Sequence, residues 1–159
     1  MDGYLLAKTV HILSSTVLFG TGLGVAFFFL MGMRAGFGRG DMAAAWFAAR
    51  TTAIADMVFT LTAGIVQPIS GFVLIWLAGF DPFEPWLAMT YALYLLALAC
   101  WLPVVWLQLR IRDMWRAKLD GAAIDEALLH RRFRIWFALG WPAFIALVGV
   151  FWLMVAKPS

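Results

Sequence analysis

The chain has 159 residues, 64% of them hydrophobic and only 13% charged, about half the charged fraction of an ordinary water-soluble domain. A mean hydropathy of +0.89 excludes a soluble enzyme domain. The net charge of +3 is small enough to report membrane orientation and anionic-lipid contact rather than nucleic acid.

Four stretches of at least 18 mostly apolar residues can be drawn, at roughly 4–31, 57–79, 85–108 and 134–156. The helices that carry them are expected over about 4–33, 41–79, 85–112 and 131–156. In hydrocarbon every peptide group must be satisfied within its own helix, and strand-like alternation is absent, so the expected fold is all-α. It is a proline-kinked four-helix bundle forming one integral membrane domain over 1–159. No nucleotide-binding glycine loop, Cys-x-x-Cys pair, serine elbow or internal repeat is present.

The first helix opens on "LAKTVHIL", with Lys8 and His11 one turn apart and sharing a face with Ser14, Ser15 and Leu18. It is read as a retained span, because it lacks a basic leader, runs too long for a signal peptide and carries polar residues in its middle. Ionisable groups in a membrane helix are costly and face the interior or a water-filled cavity. Lys8 can reach the outer surface along its aliphatic stem. His11, roughly 8 to 10 Å below that surface at 1.5 Å per residue, cannot do so as easily. Its imidazole is open to four roles: a hydrogen-bonded core group, a haem ligand, a metal ligand or a proton-transfer group. Farther along, Gly20 and Gly24 in "GTGLG" extend a small-residue face with Ser14, Ser15 and Thr16, which is expected to pack closely against a neighbour.

The segment "DMAAAWFAARTTAIAD", residues 41–56, continues the helical pattern inward of the second span, and the combined helix is longer than a bilayer is thick. Asp56 then lies near the inner boundary, where an ion pair with Arg110 or Arg134 is the expected role and a proton relay the alternative. Gln67 and Pro68 fall near mid-membrane, where an amide beside a freed carbonyl suits an interhelical bond or a ligand pocket. Pro103 and Pro142 also lie inside spans and are expected to kink them.

The loop "FDPFEP" is acidic, whereas Arg34, Arg39 and Arg50 follow the first span and Arg110, Arg112, Arg116, Lys118, Arg131, Arg132 and Arg134 lie between the third and fourth. The positive-inside rule makes the basic end cytoplasmic and both termini external. Tryptophans 76, 86 and 152 fall near the outer ends and 46, 106 and 136 near the inner ends, as aromatic belts require. Cys100, inside the third span, is expected to be a small packing residue. His130 belongs to the cytoplasmic loop, so two-histidine haem ligation with His11 is excluded by this topology. Met89 and Met154 are the soft donors at the depth of His11.

These residues resemble two bacterial membrane families, the HemJ-type protoporphyrinogen oxidases and the CopD-type copper-resistance proteins, and the whole chain resembles an uncharacterised family of bacterial four-helix membrane proteins. The HemJ pattern matches in "KTVHILSSTVLFGTG" at Lys8, His11 and Gly20, in "QPISGFVLIWL" at Pro68 and Gly71, and in "HRRFRIWFALGWPAF" and "VAKP" at Arg131, Arg134, Pro142, Lys157 and Pro158. It departs where Ala88 and Thr90 replace a histidine and a lysine of the third helix, and where Gly140 and Trp141 replace Asn-Glu. The resemblance implies a haem b or porphyrin site at His11 in a multi-pass protein of the bacterial inner membrane, and carries that site further than it carries protoporphyrinogen oxidation.

Three functions follow as expectations. One is a membrane redox protein with haem b on His11, Lys8 pairing a propionate, Met89 or Met154 as a possible sixth ligand, Ser15 and Gln67 in the pocket wall, and a quinone or electron-transfer partner. A second is copper handling, with His11 as a metal ligand beside those methionines. The third is a non-catalytic accessory subunit that forms homo-oligomers in the lipid bilayer through its small faces.

Overall fold

The computed structural model describes residues 3–158. Its first helix is Gly3–Arg39, the second Met42–Ala78, the third Pro85–Leu119 and the fourth Glu126–Ala156, each long and apolar enough to cross a membrane. The first and second helices make one hairpin and the third and fourth another, and the two pack into a four-helix bundle.

Short-range chemistry closes each turn. After the first helix Gly40 takes φ +70°, and the N–H of Asp41 reaches back to the Ala35 carbonyl at 3.2 Å. Asp41 then caps the second helix by accepting from the Ala44 N–H at 2.9 Å. The same left-handed cap ends the second helix at Gly79, and Pro85 starts the third in its first turn, where its missing N–H is harmless. Asp125 caps the fourth helix through the Leu128 N–H. Phe80, beside the second turn, lies under the Lys157 ammonium, which places the C-terminal end with the acidic turn. Phe37 stacks on His130 and packs on Trp115, which gathers the basic ends together.

The first, third and fourth helices overrun the expected bounds at the basic end. A helix of 37 residues is about 55 Å long against about 30 Å of hydrocarbon, so the surplus stands outside the lipid. There it makes its own core, in which Phe29, Met33, Ile111, Trp115 and Leu129 are fully buried. A smaller cluster of Ile75, Trp86, Leu87 and Leu153 closes the opposite end.

The close approach between the first two helices is not at Gly20 and Gly24. A Cβ on either would meet nothing within 4 Å, whereas one on Gly32 would lie 2.1 Å from the Ala48 Cβ and one on Gly36 2.7 Å from the Ala45 Cβ. The two-residue turn at Gly40 and Asp41 is the reason: it forces the backbones together in the turns next to it, where the alanines of "MAAAWFAA" offer the least bulk. Two belt assignments also change, since Trp86 and Trp136 are buried while Trp76, Trp106 and Trp152 remain exposed.

The three prolines lie inside helices as expected. Pro68 leaves the Gly64 carbonyl without its helical donor, and the Tyr94 hydroxyl supplies one from the third helix. A backbone defect thus becomes a tie between the hairpins. A single π-helical turn, Asp56–Thr60, interrupts the second helix one turn earlier, with the Leu61 N–H bonded to the Asp56 carbonyl.

Candidate functional site

Two polar arrangements lie within the spans. The first is a seam between the first and second helices, toward the end of the bundle that carries the N-terminus and the acidic turn. Ser70 Oγ donates to the Val66 carbonyl at 2.7 Å, so its lone pair accepts from His11 Nδ1 at 2.8 Å. That assignment puts the imidazole proton on Nδ1 and leaves the Nε2 lone pair free. Gln67 Nε2 donates both to the His11 carbonyl at 2.8 Å and to Ser14 Oγ at 2.7 Å. Gly71 lets the ring lie against the backbone, since a Cβ there would be 3.3 Å from His11 Cε1. Hydrogen bonds between membrane helices contribute roughly 0.6 kcal/mol each on average, so the seam holds that end of this hairpin together.

The seam gathers His11 and Gln67 from the expected site and adds Ser14 and Ser70. Ser15 turns away to donate to the Ile12 carbonyl, and Lys8 is exposed with its ammonium 5.8 Å from the Tyr4 ring centroid. Met89 is on the outer surface, 55% exposed, while Met154 packs against the cluster around Trp86 and Leu87. Ser70 was legible in principle, being one turn from Gln67 on the same helix face.

The second arrangement is a cavity of about 650 Å³ between the two hairpins, lined by all four helices. Its walls are mainly Leu, Ile, Val, Ala and aromatic side chains, and exposed residues at the rim, among them Ile65, Ile69, Phe137 and Trp141, open it toward lipid. One end is polar. Asp56 and Thr60 enter from the π-helical turn, Trp101 and Gln108 from the third helix and Trp136 from the fourth. Asp56 is 2% exposed. Its Oδ2, the Thr60 hydroxyl, both indole N–H groups and Gln108 Oε1 have no hydrogen-bond partner among the described residues.

The expected ion pair of Asp56 with Arg110 or Arg134 is absent among the described residues. Asp56, at the start of the π-helical turn, faces Gln108 and Trp101 of the third helix rather than the basic surface. Arg110 instead lies over the Trp106 ring at 5.5 Å. Buried polar groups are nearly always paired, and each left unpaired costs about 1–3 kcal/mol. Thr60, Trp101 and Gln108 gather around the Asp56 carboxyl, and with Trp136 they make this end of the wall the polar anchor of the cavity.

Sequence reasoning passed over Trp101 and Gln108 and took Trp136 for a belt residue. The available signal was spacing: Thr52, Asp56 and Thr60 recur every four residues, and Trp101 and Gln108 are seven apart on one helix face. The seam adjoins the cavity on the second helix, where Pro68 and Ile69 line the cavity between Gln67 and Ser70 of the seam, and stands apart from it on the first. Leu18, the first cavity residue along the first helix, is seven residues from His11, about 10 Å along the axis. No three His, Cys, Asp or Glu side chains converge among the described residues.

No curated protein and no solved structure matches the chain. One family's model covers residues 5–158, the four apolar helices entire but for two residues of the first, and the chain accordingly belongs to the family described as predicted integral membrane protein (DUF2269).

Proposed function

We propose that this multi-pass membrane protein binds a lipid-soluble small molecule in the cavity between its hairpins, drawn sideways from the bilayer of a bacterial inner membrane. The observation that carries the reading is the cavity itself: about 650 Å³ of apolar wall ending in five unpartnered polar groups. That size lies within the roughly 300–1,000 Å³ of small-molecule sites, and the division into apolar body and polar end matches an amphiphile.

Gly22 and Gly140 line the cavity, and a Cβ on either meets nothing within 4 Å. Gly22→Leu combined with Gly140→Leu therefore narrows the cavity from two positions where the added Cβ has room. Solvent extraction and mass spectrometry of the purified protein are expected to find a bound lipid-soluble compound that falls at least tenfold in the narrowed variant. Equal amounts in both proteins would refute the cavity as its site.

A second reading, haem b at His11, is favoured by one feature of the seam. An imidazole oriented through Nδ1–H with Nε2 free is the usual arrangement of a ligating histidine. Lys8, one turn nearer the surface, suits a propionate, and the group would supply one-electron transfer toward a quinone or protein partner. The groups around His11 are the Ser70 hydroxyl and the Gln67 amide N–H, neither of them a soft donor, which weighs against copper. Dithionite-reduced spectra of protein expressed with haem supplied are expected to show α and β bands that His11→Ala removes. A colourless protein, with His11→Ala lowering only thermal stability or oligomer size, would assign the seam to helix packing in an accessory subunit.

A further inference from the structure

We propose that the cavity selects lipid-soluble organic cations, with Asp56 as the counter-charge and the surrounding aromatic rings as the cradle. This rests on the cavity being a binding site and names the class of molecule that fits it.

Among the described residues, Asp56 is the only acidic side chain on the cavity wall, and no lysine, arginine or histidine lines it. The basic groups nearest in sequence, from each helix packed around it, are held elsewhere or face outward. Arg50, on the same helix, lies over the Trp46 ring. From the third helix, Arg110 lies over Trp106 and Arg112 pairs with Asp113. In the fourth, Arg132 donates to Met114 Sδ, and Arg134 is exposed, as is Arg34 of the first. The counter-charge of an ionised Asp56 therefore has to arrive with a ligand.

A buried carboxylate without a cation is among the most costly arrangements in a membrane, and a positively charged guest relieves it directly. The rest of the wall favours the same guest. Eight aromatic side chains line the cavity, four of them Trp101, Trp136, Trp141 and Tyr94, and ring faces attract cations most strongly where water is excluded. The carboxyl sits at one end of a long apolar chamber, which suits a charge carried on a bulky hydrophobic body. An uncharged guest offers the Asp56 carboxylate at most a hydrogen bond and leaves its charge uncompensated, and an anion is repelled by it.

The test is equilibrium dialysis of radiolabelled tetraphenylphosphonium against purified, detergent-solubilised protein, with tetraphenylborate as the probe of equal shape and opposite charge. Saturable binding of the cation is expected, at least tenfold weaker in Asp56→Asn, retained in Asp56→Glu, and not displaced by tetraphenylborate. The Asn variant is isosteric, and a thermal melt establishes that it is folded; should it fail to fold, the comparison of the two ions on the wild-type protein carries the test on its own. Equal cation binding by wild type and Asp56→Asn, or equal binding of the two ions, overturns the charge selection and leaves the cavity reading standing. Absence of saturable binding by either ion overturns the cation proposal. Undiminished cation binding in the narrowed Gly22→Leu, Gly140→Leu variant overturns the cavity reading itself.

Discussion

Gly32→Ala is expected to lower the stability of the protein by about 3 kcal/mol, the upper end of what overpacking usually costs. The added methyl would lie 2.1 Å from the Ala48 Cβ and 3.5 Å from the Ala44 carbonyl oxygen, and neither neighbour can rotate away. Relief requires the first two helices to move apart next to a two-residue turn that holds them together. Gly20→Ala and Gly24→Ala, whose new methyls meet open space, are expected to change stability by only a few tenths of that amount. Thermal unfolding in a mild detergent distinguishes them. Adding Ala48→Gly to Gly32→Ala should restore most of the loss, because it removes the one side-chain atom in the way. Similar melts for Gly32→Ala and Gly20→Ala would show that the helices meet elsewhere.

Trp115→Ala is expected to cost still more, about 3–5 kcal/mol, the range for removing a large aromatic from a packed core. Its ring is fully buried, packs on Phe37 with centroids 5.4 Å apart, and covers Gly36, where a Cβ would approach it to 2.6 Å. Its Nε1–H donates to Met33 Sδ at 3.2 Å. This core belongs to the basic-end surplus of the helices, where water rather than lipid surrounds the bundle and burial is driven in full. Trp76→Ala, removing an 80% exposed ring from the opposite end, should leave the melt nearly unchanged in detergent. A Trp115→Ala protein as stable as Trp76→Ala would mean that the helix extensions do not share a core.

Both results depend on distinctions that composition does not contain. The small-residue signal at Gly20 and Gly24 reads as strongly in one dimension as that at Gly32 and Gly36, and only the position of the turn selects between them. The same holds for the tryptophans. Trp86 and Trp152 share a depth, yet Trp86 donates to the Glu84 carboxylate and packs edge-on against Phe80, while Trp152 is 61% exposed. The seam was half legible: His11 and Gln67 stood out because polar groups in lipid are expensive, but their meeting through Ser14 and Ser70 depends on how two helices are rotated. The cavity wall was largely illegible, because a π-helical turn changes the rotation of every residue after it and leaves only the spacings of Asp56 with Thr60 and of Trp101 with Gln108 as traces.

What this sequence determined by itself is what the bilayer demands of any chain: four apolar helices and an all-α bundle. Lipid solvation acts on every residue alike and so is written in composition and charge. Which face of each helix meets its neighbour, where the backbones touch, and that Asp56 faces a cavity instead of an arginine were decided by tertiary packing, because rotation about a helix axis costs little in lipid until another helix is there to resist it.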